Sequence, residues 1–434
     1  ELFFHQLRYV VGDETLRRIM RTFYDRWKLK HVDEAAFREV AEEVSGMDLS
    51  TLFAQGLHGT PLVDYAVGEV KTARRLGGSA ARPETIAWDT RVEVVRKGEG
   101  QLPVEVWVIG EHDTMMVRTE GSATREWVTL ATRSKPRQVL LDPRLRTRDW
   151  NMLNNSWRRG WLFTTREPKR EHHLDTWFSE PRARDHRTQG LMPVAWFNDA
   201  GGITLGLRVR ENYFGRFEQN TAILSSTTGW GSDLDVKDLD FFFRLRNPTG
   251  LRSPGLSQSL EAYNVEGRYG ARLAVERTSW DHLGWGPVRT TGLTLTWVAP
   301  DDFRYLDPGY YEDAGTAELA LGGGVTDRRN NWQLAARMSA AGGLAYNRRG
   351  LSDATGRADL DPFYGRVTLE ATARQSAAAR WRMGLRFFGG LSSSGDDPVK
   401  QRQIYAAGQD PLEQFGNPFL RSNGALLVRP DVFY

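Results

Sequence analysis

Cysteine is absent from all 434 residues, which excludes disulfides, zinc fingers, iron–sulfur clusters and thiol catalysis. The chain also lacks any apolar run near the ~20 residues that a membrane-spanning helix needs. It starts at Glu1 without methionine, a basic segment or an apolar segment, so we expect a fragment with no signal peptide. Insertion into a membrane would therefore require the strands of a closed β-barrel, whose alternating apolar and polar side chains dilute the hydropathy signal.

The sequence also has no large excess of positive or negative charge. The 58 basic and 55 acidic side chains are interspersed and leave a formal net charge of +3, which predicts no nucleic-acid partner. A hydrophobic content of 40% fits neither a helical membrane protein nor a disordered chain. The length predicts about two or three domains.

Catalytic motifs are missing as well. The histidines form no His-Glu-x-x-His, and there is no Gly-x-Ser-x-Gly elbow, phosphate loop or Gly-x-Gly-x-x-Gly. Glu1 and His5 are one helical turn apart but are too few to hold a metal, and we interpret His172 and His173 as linker residues. We therefore predict no catalytic, cofactor-binding or metal-binding residue in this chain.

Helical periodicity marks residues 1–70, where apolar side chains recur every three or four positions. The first amphipathic stretch follows Gly12, and the Asp13 carboxylate is expected to accept first-turn amides. A second stretch starts at Asp33 and stops at Gly46, and a third starts at Asp48. These stretches predict a short α-helical domain.

The period changes to two after a mixed linker around residues 72–82. About four or five short alternating runs predict a small β-sandwich over residues 80–156. The strand signals are Val92–Val95, Val104–Val108, Trp127–Leu130 and Gln138–Pro143. Residues 157–189 are charged and aromatic without a clear period, and we interpret them as a linker or plug.

From residue 190 to residue 434 nearly every segment alternates. In Ile203–Arg210 the odd positions are apolar and the even positions are polar or small. Roughly eleven or twelve such segments approach the ~10 residues of a tilted transmembrane strand. Further examples are Arg268–Glu276, Leu293–Trp297, Trp332–Ser339, Arg366–Arg374 and Trp381–Phe387.

A soluble β-sandwich would show the same alternation. Three features favour a transmembrane antiparallel β-barrel: long strands, an apolar face almost free of charge, and aromatic residues near strand ends. Charge on a lipid-facing position costs about 2–4 kcal/mol at the bilayer midplane, so the uncharged face is a physical requirement. The aromatic residues are Trp196, Phe197, Tyr213, Phe214, Trp230, Trp280, Trp285, Trp297, Tyr310, Tyr311, Trp332, Phe363, Tyr364 and Trp381.

The polar face of these strands is rich in arginine, which allows two interpretations. The arginines form an anion-attracting lumen, or they pair with glutamates across strands as fillers of a closed barrel. The arginines are Arg208, Arg210, Arg244, Arg246, Arg268, Arg272, Arg337, Arg366, Arg382 and Arg386. The glutamates are Glu261, Glu266, Glu276, Glu318 and Glu370.

Residues 1 to 155 carry an ordered set of motifs. They are Gly12-Asp13-Glu14, Tyr24-Asp25-Arg26-Trp27, Lys30-His31-Val32-Asp33, Phe37, Val44-Ser45-Gly46-Met47-Asp48-Leu49, Phe53, Asp64-Tyr65, Leu141-Asp142-Pro143, Asp149-Trp150-Asn151 and Asn154-Asn155. In order and spacing this region resembles the C-terminal end of the catalytic domain, and the following β-domain, of the membrane alanyl aminopeptidase (gluzincin) family.

In that family a His-Glu-x-x-His helix, a further glutamate ligand and an oxyanion-stabilising tyrosine all precede this region, and none maps onto this sequence. The resemblance therefore implies that the parent polypeptide is a zinc metallopeptidase acting on peptides. It also implies that the zinc motif lies upstream and that this chain lacks the catalytic residues.

The region from residue 190 resembles, more loosely, the barrel of the bacterial surface antigen, or outer-membrane assembly factor, superfamily. Such barrels ordinarily have more strands, so we expect this one to be incomplete. Alternation at Val428, Val432 and Tyr434 is typical of a terminal targeting strand, although Pro430 interrupts it. The motifs are Trp196-Phe197-Asn198, Gly202-Ile203-Thr204-Leu205-Gly206, Gly365-Arg366-Val367, Arg386-Phe387-Phe388-Gly389-Gly390, Gln403-Ile404-Tyr405, Gly408-Gln409-Asp410-Pro411-Leu412 and Asn417-Pro418-Phe419-Leu420-Arg421-Ser422.

Together these features predict a multidomain α+β chain with a helical piece, a small β-sandwich and an outer-membrane β-barrel in contact with lipid. Our first hypothesis is a fragment of an outer-membrane-anchored zinc metallopeptidase, with its soluble part in the periplasm or at the cell surface. The alternative is a transport or assembly barrel with non-catalytic recruitment domains.

Overall fold

A computed structural model of the chain describes residues 2–74, 88–160, 164–165, 170–176, 183–198, 200–215, 217–232, 234, 237–248, 250, 253, 255–280, 286–306, 311–329, 331–347, 362–378, 381–393 and 399–404. Two compact units divide the chain. Unit 1 comprises residues 1–170 and 184–187, and unit 2 comprises residues 171–183 and 188–434. The predictions about Glu1, Trp285, Tyr310 and residues 405–434 lie outside the described residues.

Four short helices open unit 1. They are α1 (Leu2–Val11), α2 (Asp13–Trp27), α3 (Glu34–Ser45) and α4 (Ser50–Leu57). The predicted amphipathic stretches are confirmed as α2, α3 and α4. Among the described ranges, no helix combines the length and apolar character needed to cross a membrane.

Of the four predicted helix ends, those at Asp33 and Gly46 are confirmed, whereas α4 begins at Ser50, two residues after Asp48. The Asp33 carboxylate accepts a hydrogen bond from the Ala36 amide at 2.9 Å, and Gly46 ends α3 with a φ of 69°. The prediction for Asp13 is wrong. Asp13 is the first residue of α2 and its carboxylate binds the Arg8 guanidinium at 2.6 Å, because the turn at Gly12 brings α1 alongside.

The strands of unit 1 form two antiparallel sheets, of order β1-β2-β5 and β4-β3-β6-β7-β8. Three of the four predicted strand signals lie within strands, and the fourth, Gln138–Pro143, extends two residues beyond β6; β1, β4, β7 and β8 fall outside the predicted signals. The strands are β1 (Tyr65–Arg74), β2 (Trp88–Arg96), β3 (Val104–Ile109), β4 (Thr114–Thr119), β5 (Arg125–Thr132), β6 (Gln138–Leu141), β7 (Ser156–Arg159) and β8 (Thr164–Thr165).

One hydrophobic core joins the helices to both sheets. It contains Leu7 and Phe53 from the helices, Val92 from the first sheet, and Val106 and Val139 from the second. The sheets therefore pack face to face as a β-sandwich, and the helices bury their apolar stripes against it. The predicted domain boundaries at residues 70, 80, 157 and 190 stay predictions.

Unit 2 contains a twelve-stranded sheet in which each strand pairs with the next one along the chain. All pairs are antiparallel except β9 with β10, which are parallel. In the described residues, the end strands β9 and β20 do not pair with each other. The strands are β9 (Glu171–Leu174), β10 (Thr188–Asn198), β11 (Gly202–Tyr213), β12 (Phe217–Thr227), β13 (Leu239–Asn247), β14 (Leu256–Val265), β15 (Arg268–Ser279), β16 (Val288–Pro300), β17 (Ala314–Arg329), β18 (Trp332–Asn347), β19 (Phe363–Ala378) and β20 (Trp381–Ser392).

The alternating segments predicted from the sequence all lie in these strands. His172 and His173, which we interpreted as linker residues, lie in β9 and pair with Gln189 and Gly190 of β10. The short parallel pairing explains why no period-two signal marked β9. Four residues are too few to show alternation.

Tyr65 is a buried polar anchor of unit 1. Its hydroxyl accepts a hydrogen bond from the Leu102 amide at 2.9 Å and donates one to the Gly121 carbonyl oxygen at 2.7 Å. Removing the hydroxyl would leave a buried amide without an acceptor, which costs about 1–3 kcal/mol.

We expect Tyr65→Phe to lower the free energy of unfolding of unit 1 by about 1–3 kcal/mol. Pulse proteolysis of the full chain in detergent across a urea series measures this change. Tyr24→Phe is the matched control, because the Tyr24 side chain is exposed on α2. Equal effects of the two substitutions would contradict the assigned role of the Tyr65 hydroxyl.

Candidate functional site

The two faces of the twelve-stranded sheet differ in polarity along the same register. Five leucines lie opposite one another across β13 to β17 and form one continuous row, here called the leucine row. The adjacent positions point to the other face and carry Arg244, Glu261, Arg272, Thr296 and Glu318. The leucine row consists of Leu245, Leu260, Leu273, Leu295 and Leu319.

The apolar face is exposed. Leu273 is 48% exposed and Leu295 is 51% exposed, and the same holds far from the row, where Leu205 is 49% and Leu385 is 72% exposed. No protein layer from the described residues covers these side chains. Monomeric soluble proteins rarely expose contiguous apolar patches larger than a few hundred Å².

Aromatic side chains collect on the apolar face near the strand ends. Trp297 donates its indole N–H to the Tyr346 hydroxyl at 2.8 Å, and its ring packs edge-on against Tyr269 at 5.2 Å between centroids. Other exposed members of the predicted set are Phe197, Trp230, Trp280, Trp332 and Phe363.

The aromatic prediction is wrong for four of its members. Tyr213, Tyr311 and Tyr364 are buried, since each packs against other parts of unit 2 rather than facing outward. Trp196 also differs, because it lies on the polar face and donates to the Glu266 carboxylate at 3.0 Å. The side chain of Trp381 lies outside the described residues.

Part of the charged face is held by ion pairs of the kind that the filler interpretation predicts. Arg244 binds Glu261 at 2.7 Å, and Arg386 binds Glu370 at the same distance. These pairs neutralise arginines that would otherwise attract anions. Among the described residues, Glu276 takes part in no ion pair. Glu266 accepts hydrogen bonds from the Trp196 and Asn198 side chains.

Asp175 is a buried carboxylate of this face that sequence reasoning missed. It is 1% exposed and binds Arg208 at 2.9 Å and Arg210 at 2.7 Å. His173 lies 3.9 Å from the same carboxylate. Asp175 directly follows β9, in a segment without periodicity, so no pattern pointed to it.

The sheet is curled strongly enough for distant strands to meet on the charged face. Trp196 and Asn198 of β10 both donate to Glu266, which lies in the β14–β15 turn. Val194 of β10 also packs in a cluster with Phe242 of β13 and Tyr263 of β14. Side chains three and four strands apart can touch only when the sheet curls strongly around its polar face, here called the enclosed face.

Residues 399–404 lie on the enclosed face next to β17 and β19. Arg402 is 4% exposed and binds Thr316 at 2.6 Å and the Glu318 carboxylate at 3.4 Å. Glu318 also binds Arg366 at 2.9 Å and accepts from the Tyr364 hydroxyl at 3.2 Å. One buried carboxylate therefore holds two guanidinium groups.

Three of the motifs behind the aminopeptidase resemblance, Asp64-Tyr65, Asp149-Trp150-Asn151 and Asn154-Asn155, meet at one place in unit 1. Asp149 accepts hydrogen bonds from the Tyr65 amide at 2.9 Å and from the Asn155 side chain at 3.2 Å, and Asn154 donates to Asp64 at 2.9 Å. Burial raises the pKa of Asp149 to about 7, and the neighbouring Asp64 carboxylate adds to the rise. In the described ranges, no group of three or more His, Cys, Asp and Glu side chains is arranged to hold a metal.

Comparison with known proteins gives little beyond this geometry. No family model matches the chain, and no curated protein matches it. Among solved structures, the chain is similar to OmpTΔL8, a loop L8 deletion mutant of the outer membrane protein OmpT of Vibrio cholerae. The identity is 9% and the TM-score is 0.23, over 77% of this chain and 94% of that one. A likeness this distant identifies neither a family nor a function.

We expect Glu318→Gln to release residues 399–404 from the enclosed face. The substitution leaves Arg366 and Arg402 without their carboxylate, and breaking a buried pair in this way costs about 3–5 kcal/mol. The measurement is trypsin cleavage after Arg402 in the detergent-solubilised chain, read by mass spectrometry.

Wild-type chain should resist cleavage at Arg402, whereas the Glu318→Gln variant should be cut there. Glu276→Gln is the control, since Glu276 is exposed on β15. Cleavage of all three proteins at the same rate would show that the Glu318 carboxylate does not hold the segment.

Proposed function

We propose that β10 to β20 form the membrane-spanning wall of a β-barrel in a bacterial outer membrane. The observation that carries this proposal is the leucine row, which runs across five neighbouring strands and is exposed along its whole length. Full burial of a leucine gains roughly 1.5–3 kcal/mol, and in water each half-exposed leucine of the row forgoes part of that gain, whereas a lipid bilayer covers the row.

Strand length and backbone pairing support the same proposal. The strands from β10 to β20 contain 9 to 16 residues, and a tilted strand needs about 9–11 to cross the hydrocarbon core. Backbone groups inside a bilayer must all be hydrogen-bonded, so only a closed sheet is stable there. A complete wall therefore requires partners for the end strands of the sheet.

The finer part of the proposal is that this barrel anchors a zinc metallopeptidase whose zinc motif lies upstream of Glu1. Its support is the order and spacing of the aminopeptidase-like motifs, together with the contact between Asp64-Tyr65 and Asp149–Asn155 within one unit. The substrates of the parent protein would be peptides. The barrel would be surrounded by outer-membrane lipid. Metal-activated water would supply the hydrolytic chemistry in the parent protein.

Sequence upstream of Glu1 distinguishes this proposal from a transport or assembly barrel with non-catalytic domains. For the peptidase, we expect a His-Glu-x-x-His motif there and aminoacyl-anilide hydrolysis by the intact protein in outer-membrane fractions. Chelation of zinc should abolish that hydrolysis. An intact protein without the motif and without hydrolysis would refute the peptidase and favour the alternative.

For the barrel itself, we expect Leu295→Arg to impair folding into lipid vesicles. A charge at a lipid-facing midplane position costs about 2–4 kcal/mol, which lowers the folded fraction measured as the heat-modifiable band on gels. Thr294→Arg is the matched control, because Thr294 points to the charged face. Recovery of the wild-type chain in buffer without detergent, with no heat-dependent mobility shift, would exclude the barrel.

A further inference from the structure

β10, the first long strand of unit 2, pairs with β11 along one edge, and β9 lies along part of the other edge. β9 pairs in parallel with residues 188–191 of β10. The Asp175 amide, directly after β9, continues this pairing by donating to the Leu191 carbonyl oxygen at 3.0 Å. β9 therefore occupies the place beside residues 188–191 that a further strand would need, and this part of β10 is here called the capped edge.

The carboxylate of Asp175 ties β9 to the sheet from the enclosed face. It is buried and binds Arg208 at 2.9 Å and Arg210 at 2.7 Å, both from β11. These charge-assisted contacts reach past β10 to a strand with which β9 shares no backbone pairing. Parallel pairing over only four residues is weak, so the Asp175 carboxylate supplies a hold that the backbone of β9 lacks.

Gly190 of β10 leaves the space that Asp175 fills. It lies opposite His173 of β9 and Arg210 of β11. A Cβ atom at Gly190 would lie 2.6 Å from the Asp175 Cβ atom and 3.0 Å from the His173 Nε2 atom. Because non-bonded carbon atoms pack at about 3.5–4.0 Å, any larger residue at this position would displace Asp175. The strand is therefore shaped to receive this carboxylate.

Proline blocks the edge of β10 just beyond β9. The Leu191 carbonyl oxygen points towards β9, and the direction of the backbone polar groups alternates along a strand. The backbone of Pro193, two residues further on, therefore points to the same edge. Proline has no N–H to donate and is typical of strand edges that do not take a partner. The capped edge and Pro193 together oppose strand pairing over residues 188–193.

We propose that β9 is a latch that keeps the edge of β10 closed to further strands, with the Asp175 carboxylate as its fastening. An uncovered strand edge is a template for pairing with another chain. The strand that an open edge would take is β10 of a second copy of this chain, because two identical edges can pair antiparallel about a two-fold axis. Release of Asp175 would free β9 and open the edge, so the latch keeps copies of this chain apart.

Hydrogen exchange of the full chain in detergent tests whether Asp175 fastens β9. The amides of Gln189 and Leu191 point towards β9, whereas those of Gly190 and Met192 point towards β11. In Asp175→Asn we expect exchange at least about tenfold faster at Gln189 and Leu191, because a buried charge pair is lost, and no change at Gly190 and Met192. Exchange at the wild-type rate at Gln189 and Leu191 would overturn the proposal.

A control variant and a second latch variant accompany this measurement. Glu370→Gln removes a carboxylate that binds Arg386 at 2.7 Å on the same face, far along the sheet from β9, and should exchange like wild type. Gly190→Ala displaces Asp175 by steric overlap and keeps its charge, so it should accelerate the same two amides. If Asp175→Asn fails to fold, Gly190→Ala gives the result by itself.

A reversible disulfide tests whether the latch keeps copies apart. The chain has no cysteine, and Leu174 lies directly opposite Leu191 in the β9–β10 pair, so Leu174→Cys with Leu191→Cys can staple β9 in place. We expect Asp175→Asn to show a larger dimer fraction than wild type by native mass spectrometry. The oxidised staple should remove the excess dimer, and reduction should restore it. Fast exchange without excess dimer, or dimer that persists under the staple, would refute the latch.

Discussion

The antiparallel register of β13 to β17 is the constraint on which unit 2 depends. Side chains alternate between the two faces with a period of two, so a slip of one residue in any strand transfers its apolar set to the other face. Leu260 stays outside only while Glu261, the next residue, stays inside. Backbone pairing and the polarity of both faces are therefore fixed together, and neither can change without the other.

Charges on an enclosed face need partners from outside the strand that carries them. Segments from opposite ends of unit 2 supply such partners: Asp175 follows β9, and Arg402 follows β20. Each segment reaches a face where an unpaired charge would be costly to bury. Electrostatic pairing therefore positions two irregular segments that have no apolar periodicity of their own.

Local sequence rules account for most elements of the fold but not for these contacts. Alternation was sufficient to find the long strands of unit 2, and capping chemistry located the ends of α3 at Asp33 and Gly46. Alternation could also have placed Trp196 on the polar face. Adjacent residues of a strand point to opposite faces, and its neighbour Phe197 is exposed on the apolar face. The contact between Asp175 and Arg208 spans 33 residues, and no single-segment pattern encodes such a pairing.

In both units the buried polar groups must be hydrogen-bonded or ion-paired. The two units meet this requirement with their apolar side chains facing in opposite directions. Unit 1 surrounds its core with protein, so the hydroxyl of Tyr65 and the carboxylate of Asp149 must find partners within a few residues of the strand ends. Unit 2 turns its apolar side chains outward and encloses its charges, so the partners come across strands. A leucine that points inward stabilises the core of unit 1, whereas in unit 2 it would lie among the charged side chains. The direction in which the apolar face points therefore distinguishes a water-facing sandwich from a lipid-facing wall, although both share a period of two.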